Sequence, residues 1–172
     1  DNQRQDDYAK FLAKHGLTRW DYLKLQGEGE IYGVYDWPFD EKLHIDHFVG
    51  AEACKLVESE GLREPFFLWV SFNGPHNPWD PPAEYSKPYL SMDLPTGSTF
   101  PGELETKPED HTRVKYNYTP QVTRLIDSQP ENREKILHRI RAGHYGNLTF
   151  IDRQVEKLLE ALEENELLDK TI

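Results

Sequence analysis

Residues 66–72 read Phe-Phe-Leu-Trp-Val-Ser-Phe, an apolar run interrupted only by Ser71. A strand with one wet face alternates apolar with polar side chains. A continuous run of this length is expected of a strand covered on both faces, the habit of parallel sheets. Ahead of it, Ile45, Phe48, Val49, Ala53, Leu56 and Val57 recur at helical spacing, predicting a helix over 45–60 that Gly61 ends. Helix followed by covered strand is the rhythm of an α/β fold with parallel pairing. The run then stops at Gly74-Pro75-His76-Asn77-Pro78. In open α/β sheets, reacting groups gather just beyond the carboxyl ends of the strands. Two prolines restrict the backbone around His76, which fixes where its imidazole can point. A ring held there can donate to an anionic oxygen or protonate a leaving group. A structural histidine bonded to a loop carbonyl is the competing reading.

The rest of the chain arranges itself around that loop. DDYAKFLAKH at 6–15 places Tyr8, Phe11, Leu12 and His15 on one face, a short amphipathic helix with Gly16 as its stop. Residues 17–43 are aromatic-rich and broken by glycine and Pro38, and read as a long packed loop. Ten of the twelve prolines lie between Pro75 and Pro130. A stretch so poor in regular period is expected to be a functional insertion, and its aromatics favour order over disorder. Ser128-Gln129-Pro130-Glu131 fits a capping box. After it Ile136, Ile140, His144, Leu148, Ile151, Val155, Leu158 and Leu162 predict one long helix. Gly143 and Gly146 within that helix point to a close backbone approach or a kink. The organisation expected is therefore strand and His-bearing loop at 63–82, a Pro- and aromatic-rich insertion at 83–127, and the long helix at 128–166.

Charge and cysteine content exclude several classes. A formal charge of −11 argues against a nucleic-acid partner. No apolar stretch is long enough to span a bilayer, and no signal peptide opens the sequence. A single cysteine, Cys54, rules out an internal disulfide and a thiolate-rich zinc site, and its helical setting suggests a buried inert thiol. His44 and His47, with Asp46 between them, have the spacing to share a metal. Such a site would want further ligands, and Asp46 also suits a helix N-cap. His144 falls on the apolar stripe and reads as a core histidine. Asn117-Tyr118-Thr119 and Asn147-Leu148-Thr149 match the glycosylation acceptor pattern, which is common by chance. Phosphate-loop, HExxH and GxSxG patterns are absent.

PFFLWVSFNGPHNPWDPPAEY at 65–85 resembles a segment of the type I sulfatases, and HYGNLTFIDRQVEKLLEALEENELLDKTI at 144–172 resembles a helix of the same enzymes. The start, DYAKFLAKHGL, and the helix at 45–60 also suit that family. The resemblance implies a partial alkaline-phosphatase-like α/β sandwich, with central sheet strands and flanking helices incomplete in this chain. It implies hydrolysis of a small-molecule or carbohydrate sulfate ester by a formylglycine made from Cys or Ser in a C/S-x-P/A-x-R motif, with a divalent cation, usually calcium. His76 matches the family histidine that bonds the sulfate or bridging oxygen near the leaving group. The same match sets Asn77 and Trp79 beside the substrate cleft. The nucleophile motif and the metal-binding aspartates have no match, nor do Lys87 and Lys170 stand in catalytic-lysine contexts. The sequence is thus expected to be an internal piece of a sulfatase catalytic domain, inactive alone, whose final Asp169-Lys170-Thr171-Ile172 begins a strand. A periplasmic or secreted setting follows only from the family. Two other readings stay open: a phosphodiesterase or phosphonate monoester hydrolase of the same superfamily, and a non-catalytic module that binds ligand through its aromatic loop 77–118.

Overall fold

The computed structural model describes residues 6–59, 61–97, 100–109 and 120–172. Helix α1 spans Asp7–Lys14, and the Asp6 carboxylate starts it by accepting the Ala9 N–H at 2.9 Å. It stops where expected: Gly16 takes φ 73°, and the Leu17 N–H returns to the Leu12 carbonyl at 3.0 Å. The expected loop 17–43 contains α2 (Arg19–Leu23) and two short 3₁₀ turns. α3 runs Ile45–Val57. Gly61 does not cap it, because the helix ends four residues earlier. α1 docks on α3 through Tyr8 and Phe11, whose rings lie 5.3 and 5.0 Å from that of Phe48.

The supposed insertion holds more helix than its prolines suggested. Pro82 leads into α4 (Ala83–Ser86), and α5 occupies Pro120–Ser128. Residues 110–119, which include Tyr116 and the Asn117-Tyr118-Thr119 triplet, lie outside the described residues. Ser128 closes α5 by donating to the Leu125 carbonyl and does not build a capping box. The long helix α6 begins at Arg133 and ends at Glu164. It packs along α3 and against α4. A Cβ at Gly143 would lie 2.9 Å from that of Trp79, and one at Gly146 would lie 2.9 Å from the Ser86 backbone. The two glycines serve close approach, as their sequence positions suggested.

The expected sheet is not present as such. Among the described residues the only β contact is an isolated parallel bridge between Val34 and Trp79. Residues 66–72 are extended but unpaired, and their burial alternates. Phe66, Leu68, Val70 and Phe72 are partly buried, whereas Phe67 and Trp69 are 86% and 79% exposed. Covering on both faces was inferred from an apolar run, and only one face is covered here. Leu68 joins Val57, Ala161 and Leu162 in one apolar cluster. Ile31, Val34, Val122 and Ile136 form a second, against which Trp79 packs. α6 contributes to both clusters, so it is the spine against which the His-bearing loop is set.

Candidate functional site

The loop from Asn73 to Asp80 is fastened at its start, middle and end. At its start, Asp46 Oδ1 accepts the Asn73 N–H at 2.6 Å, and both carboxylate oxygens lie 3.2 Å from the Gly74 nitrogen. Near the middle, Asn147 of α6 donates from Nδ2 to the Pro78 carbonyl at 3.3 Å. At its end the loop runs parallel to residues 33–37. The Trp79 N–H donates to Gly33 at 2.7 Å, Tyr35 donates to the Trp79 carbonyl at 3.2 Å, and Trp37 donates to Pro81 at 3.0 Å. The Gly74–Pro75 and Asn77–Pro78 bonds are cis.

His76 stands at the tip with its ring exposed. Its Nδ1–H donates to the Asn77 carbonyl at 2.7 Å, which orients the ring and leaves Nε2 free of protein hydrogen bonds among the described residues. Asn77 is half-buried beside it. Trp79 is also half-buried, and its Nε1 is a buried donor with no partner among the described residues. The three residues singled out from sequence share this loop, with the His76 ring outward and the Trp79 indole packed against Ile31, Val34, Val122 and Ile136.

Behind the loop lies a polar cluster that the sequence did not reveal. His44, and not Asp46, caps α3: its Nδ1 accepts the Asp46 N–H at 3.1 Å. The lone pair thus sits on Nδ1 and the proton on Nε2, which faces Asp80 Oδ1 at 3.6 Å. Asp80 Oδ2 accepts the Tyr35 hydroxyl at 3.0 Å. His44, Asp46 and Asp80 are 2%, 1% and 6% exposed. Burial pushes the Asp46 carboxyl above its ordinary value, against the pull of His44 and the Gly74 and Asn73 N–H groups. Burial, then Asp80, raises the Tyr35 hydroxyl well above the usual phenol range. The His-Ile-Asp-His spacing was the available signal for this cluster, and it suggested a shared metal short of ligands or a cap at Asp46 rather than the buried set seen here. Asp80, between Trp79 and Pro81, gave none.

Among the described residues no three His, Cys, Asp or Glu side chains converge as a metal site, and none of the helices is long and apolar enough to cross a membrane. Cys54 is half-buried and burial raises its thiol, in keeping with an inert role. His144 packs edge-on to Tyr145.

Comparison with known proteins bears on this arrangement. The sequence model of the Sulfatase family matches residues 2–172. An arylsulfatase of Clostridium perfringens (strain 13 / Type A) is 30% identical over 167 residues, which is 97% of this chain and 33% of that protein. Human iduronate 2-sulfatase is 28% identical over 130 residues, 70% of this chain and 23% of that enzyme. The chain thus spans about a third or less of the length of these relatives.

Proposed function

The chain belongs to the sulfatase family, and from that premise we propose that it supplies one wall of the active site of a sulfuric ester hydrolase, with His76 as proton donor to the departing alcohol. The observation that carries this reading is the exposed ring of His76 on a loop tied down along its length. In the step assigned to it, a nucleophile from outside this chain bonds to sulfur as the S–O bond to the alcohol breaks, and that bond's electron pair moves to the alcohol oxygen. His76, as imidazolium, gives that oxygen its Nε2 proton and keeps the Nδ1–H bond to Asn77. Asn77 flanks the donor, and Trp79, whose indole packs against Ile31, Val34, Val122 and Ile136, seats the loop from behind. The extended residues 66–72 are assigned to a central sheet completed by other parts of the enzyme, as an alkaline-phosphatase-like α/β fold requires.

Sulfatases generally use a formylglycine nucleophile and a divalent cation, expected here to be calcium. The residues described here fit neither group. No ligand cluster exists among them, and Cys54 is followed by Lys55-Leu56-Val57, outside any C/S-x-P/A-x-R pattern. Both groups are assigned to further sequence of the kind that the matched arylsulfatase has beyond its aligned third.

The test is His76→Gln in the whole enzyme. Removing a general acid is expected to lower kcat on an aryl sulfate by about 100- to 10,000-fold. An exposed side chain with one local bond should leave the melting temperature almost unchanged. The matching aryl phosphate should be a poor substrate for the unaltered enzyme. An undiminished kcat in the variant removes His76 from the mechanism, and preference for the phosphate removes the sulfatase reading.

A further inference from the structure

The cluster behind the loop holds more charge than a fold needs at that place. Ordinary capping and loop closure can be met by Ser or Asn. Burying carboxylates costs stability unless strong hydrogen bonds return it. Here one carboxylate accepts the two backbone N–H groups at the loop's start, and another lies at its end, one residue past Trp79. The imidazole of His44 stands between them, 3.8 Å from Asp46 Oδ2 and 3.6 Å from Asp80 Oδ1. Gly74 completes the fit, since a Cβ there would come within 2.8 Å of Asp46 Oδ2. Charge-assisted bonds to backbone N–H groups are short and directional, the kind that fixes a loop to within a few tenths of an ångström.

We propose that Asp46, with His44 and Asp80, is a positioning residue for His76: the Asp46 carboxylate sets the backbone of Asn73 and Gly74, Asp80 accepts the Tyr35 hydroxyl at the other end of the loop, and the His44 ring packs between the two carboxylates. The proposal rests on His76 being the proton donor assigned above. None of the three clamp residues touches the reacting atoms in this assignment. Their effect is on where the His76 Nε2 proton stands when the S–O bond breaks.

Leaving-group dependence separates this role from general support of the fold. A phenolate of low basicity departs without a proton, whereas a basic one needs the acid. The whole enzyme is assayed on para-nitrophenyl sulfate and on phenyl sulfate. His76→Ala should lose far more kcat on phenyl sulfate. Asp46→Ala, with His76 intact but its loop released, should reproduce that pattern at smaller amplitude, about tenfold more loss on phenyl sulfate, with KM little changed. Asp46→Asn keeps one oxygen for the Asn73 N–H and should recover most of the rate. The Asp46→Ala, His76→Ala double variant should be no slower than His76→Ala. If Asp46→Ala does not fold, Asp80→Asn carries the same comparison from the other end of the loop. A uniform loss on both esters in these clamp variants, beside a leaving-group-dependent loss in His76→Ala, overturns the clamp alone. A uniform loss in His76→Ala itself overturns the proton-donor reading and the clamp with it.

Discussion

His47 of α3 illustrates how one half-buried imidazole sets an acid limit on stability. Burial, and then Lys157 of α6, pushes its pKa below the ordinary 6.5, with Glu41 and Gln154 pulling the other way. Below pH 6.5 the unfolded chain takes up a proton that the folded protein refuses. Stability should therefore fall as pH drops through that value, and level off once His47 is charged in both states. His47→Gln should flatten this part of the profile, a difference readable by urea denaturation of both proteins across the range. Gly74 gives a second prediction. In Gly74→Ala the new methyl meets Asp46 Oδ2 and Ile151 Cδ1, each at 2.8 Å. The isoleucine can turn, but the carboxylate is held by backbone N–H groups, so a loss of about 1–3 kcal/mol in unfolding free energy is expected. Stiff prolines and an abrupt apolar stop single out His76 in the sequence, and the structure places it exposed on the loop that they delimit. At His44 the sequence offered two readings, a metal-sharing pair short of ligands or a cap at Asp46; only tertiary packing shows that His44 itself caps the helix and faces Asp80.

At the level of elements, α6 was readable from its 3.6-residue period and its two glycines, although its first turn was placed early because the Pro130 region imitates a capping box. α5 was missed: its Val122, Leu125 and Ile126 have helical spacing, but the surrounding prolines outweighed so short a signal. α6 also allows two opposing effects to be weighed. Replacing Gly146 by alanine should favour an isolated helix by about 1 kcal/mol. Yet the added Cβ would stand 2.8 Å from Pro81 Cγ, 2.9 Å from Ser86 Cα and 3.0 Å from Ser86 Cβ. Two of those atoms belong to α4 at its seat on α6, and Ser86 is itself buried and bonded to Asp36 at 3.1 Å. Separating the helices should cost more than the propensity returns, for a net loss of about 1–2 kcal/mol. Chemical denaturation of Gly146→Ala tests the sign: a more stable protein means that α4 gives way more easily than its packing suggests.

In the molecule as a whole, one face of residues 66–72 carries large aromatics without cover among the described residues. The run 66–72 was expected to be covered on both sides, and its even-numbered residues are partly buried. Phe67 and Trp69 stand outward with nothing over them among the described residues. Beside the run, a groove of about 470 Å³ opens between Val57, Leu158, Leu162, Leu167 and the extended end at Thr171 and Ile172. Large aromatics so exposed side by side are unusual on a surface that meets only water. The aligned arylsulfatase is about three times as long as this chain, and the sheet proposed above requires strands from outside residues 66–72. The two possibilities differ in energy by a measurable amount. At 79% exposure, Trp69→Ala should change stability by no more than about 0.5 kcal/mol. Under a second layer of sheet and helix, the same truncation should cost about 3–5 kcal/mol. Measured in the whole enzyme, the larger loss is expected, together with a blue-shifted and quencher-protected Trp69 fluorescence signal. A loss near zero means that Phe67 and Trp69 face solvent in the enzyme as well, and that the α/β sheet is built without residues 66–72.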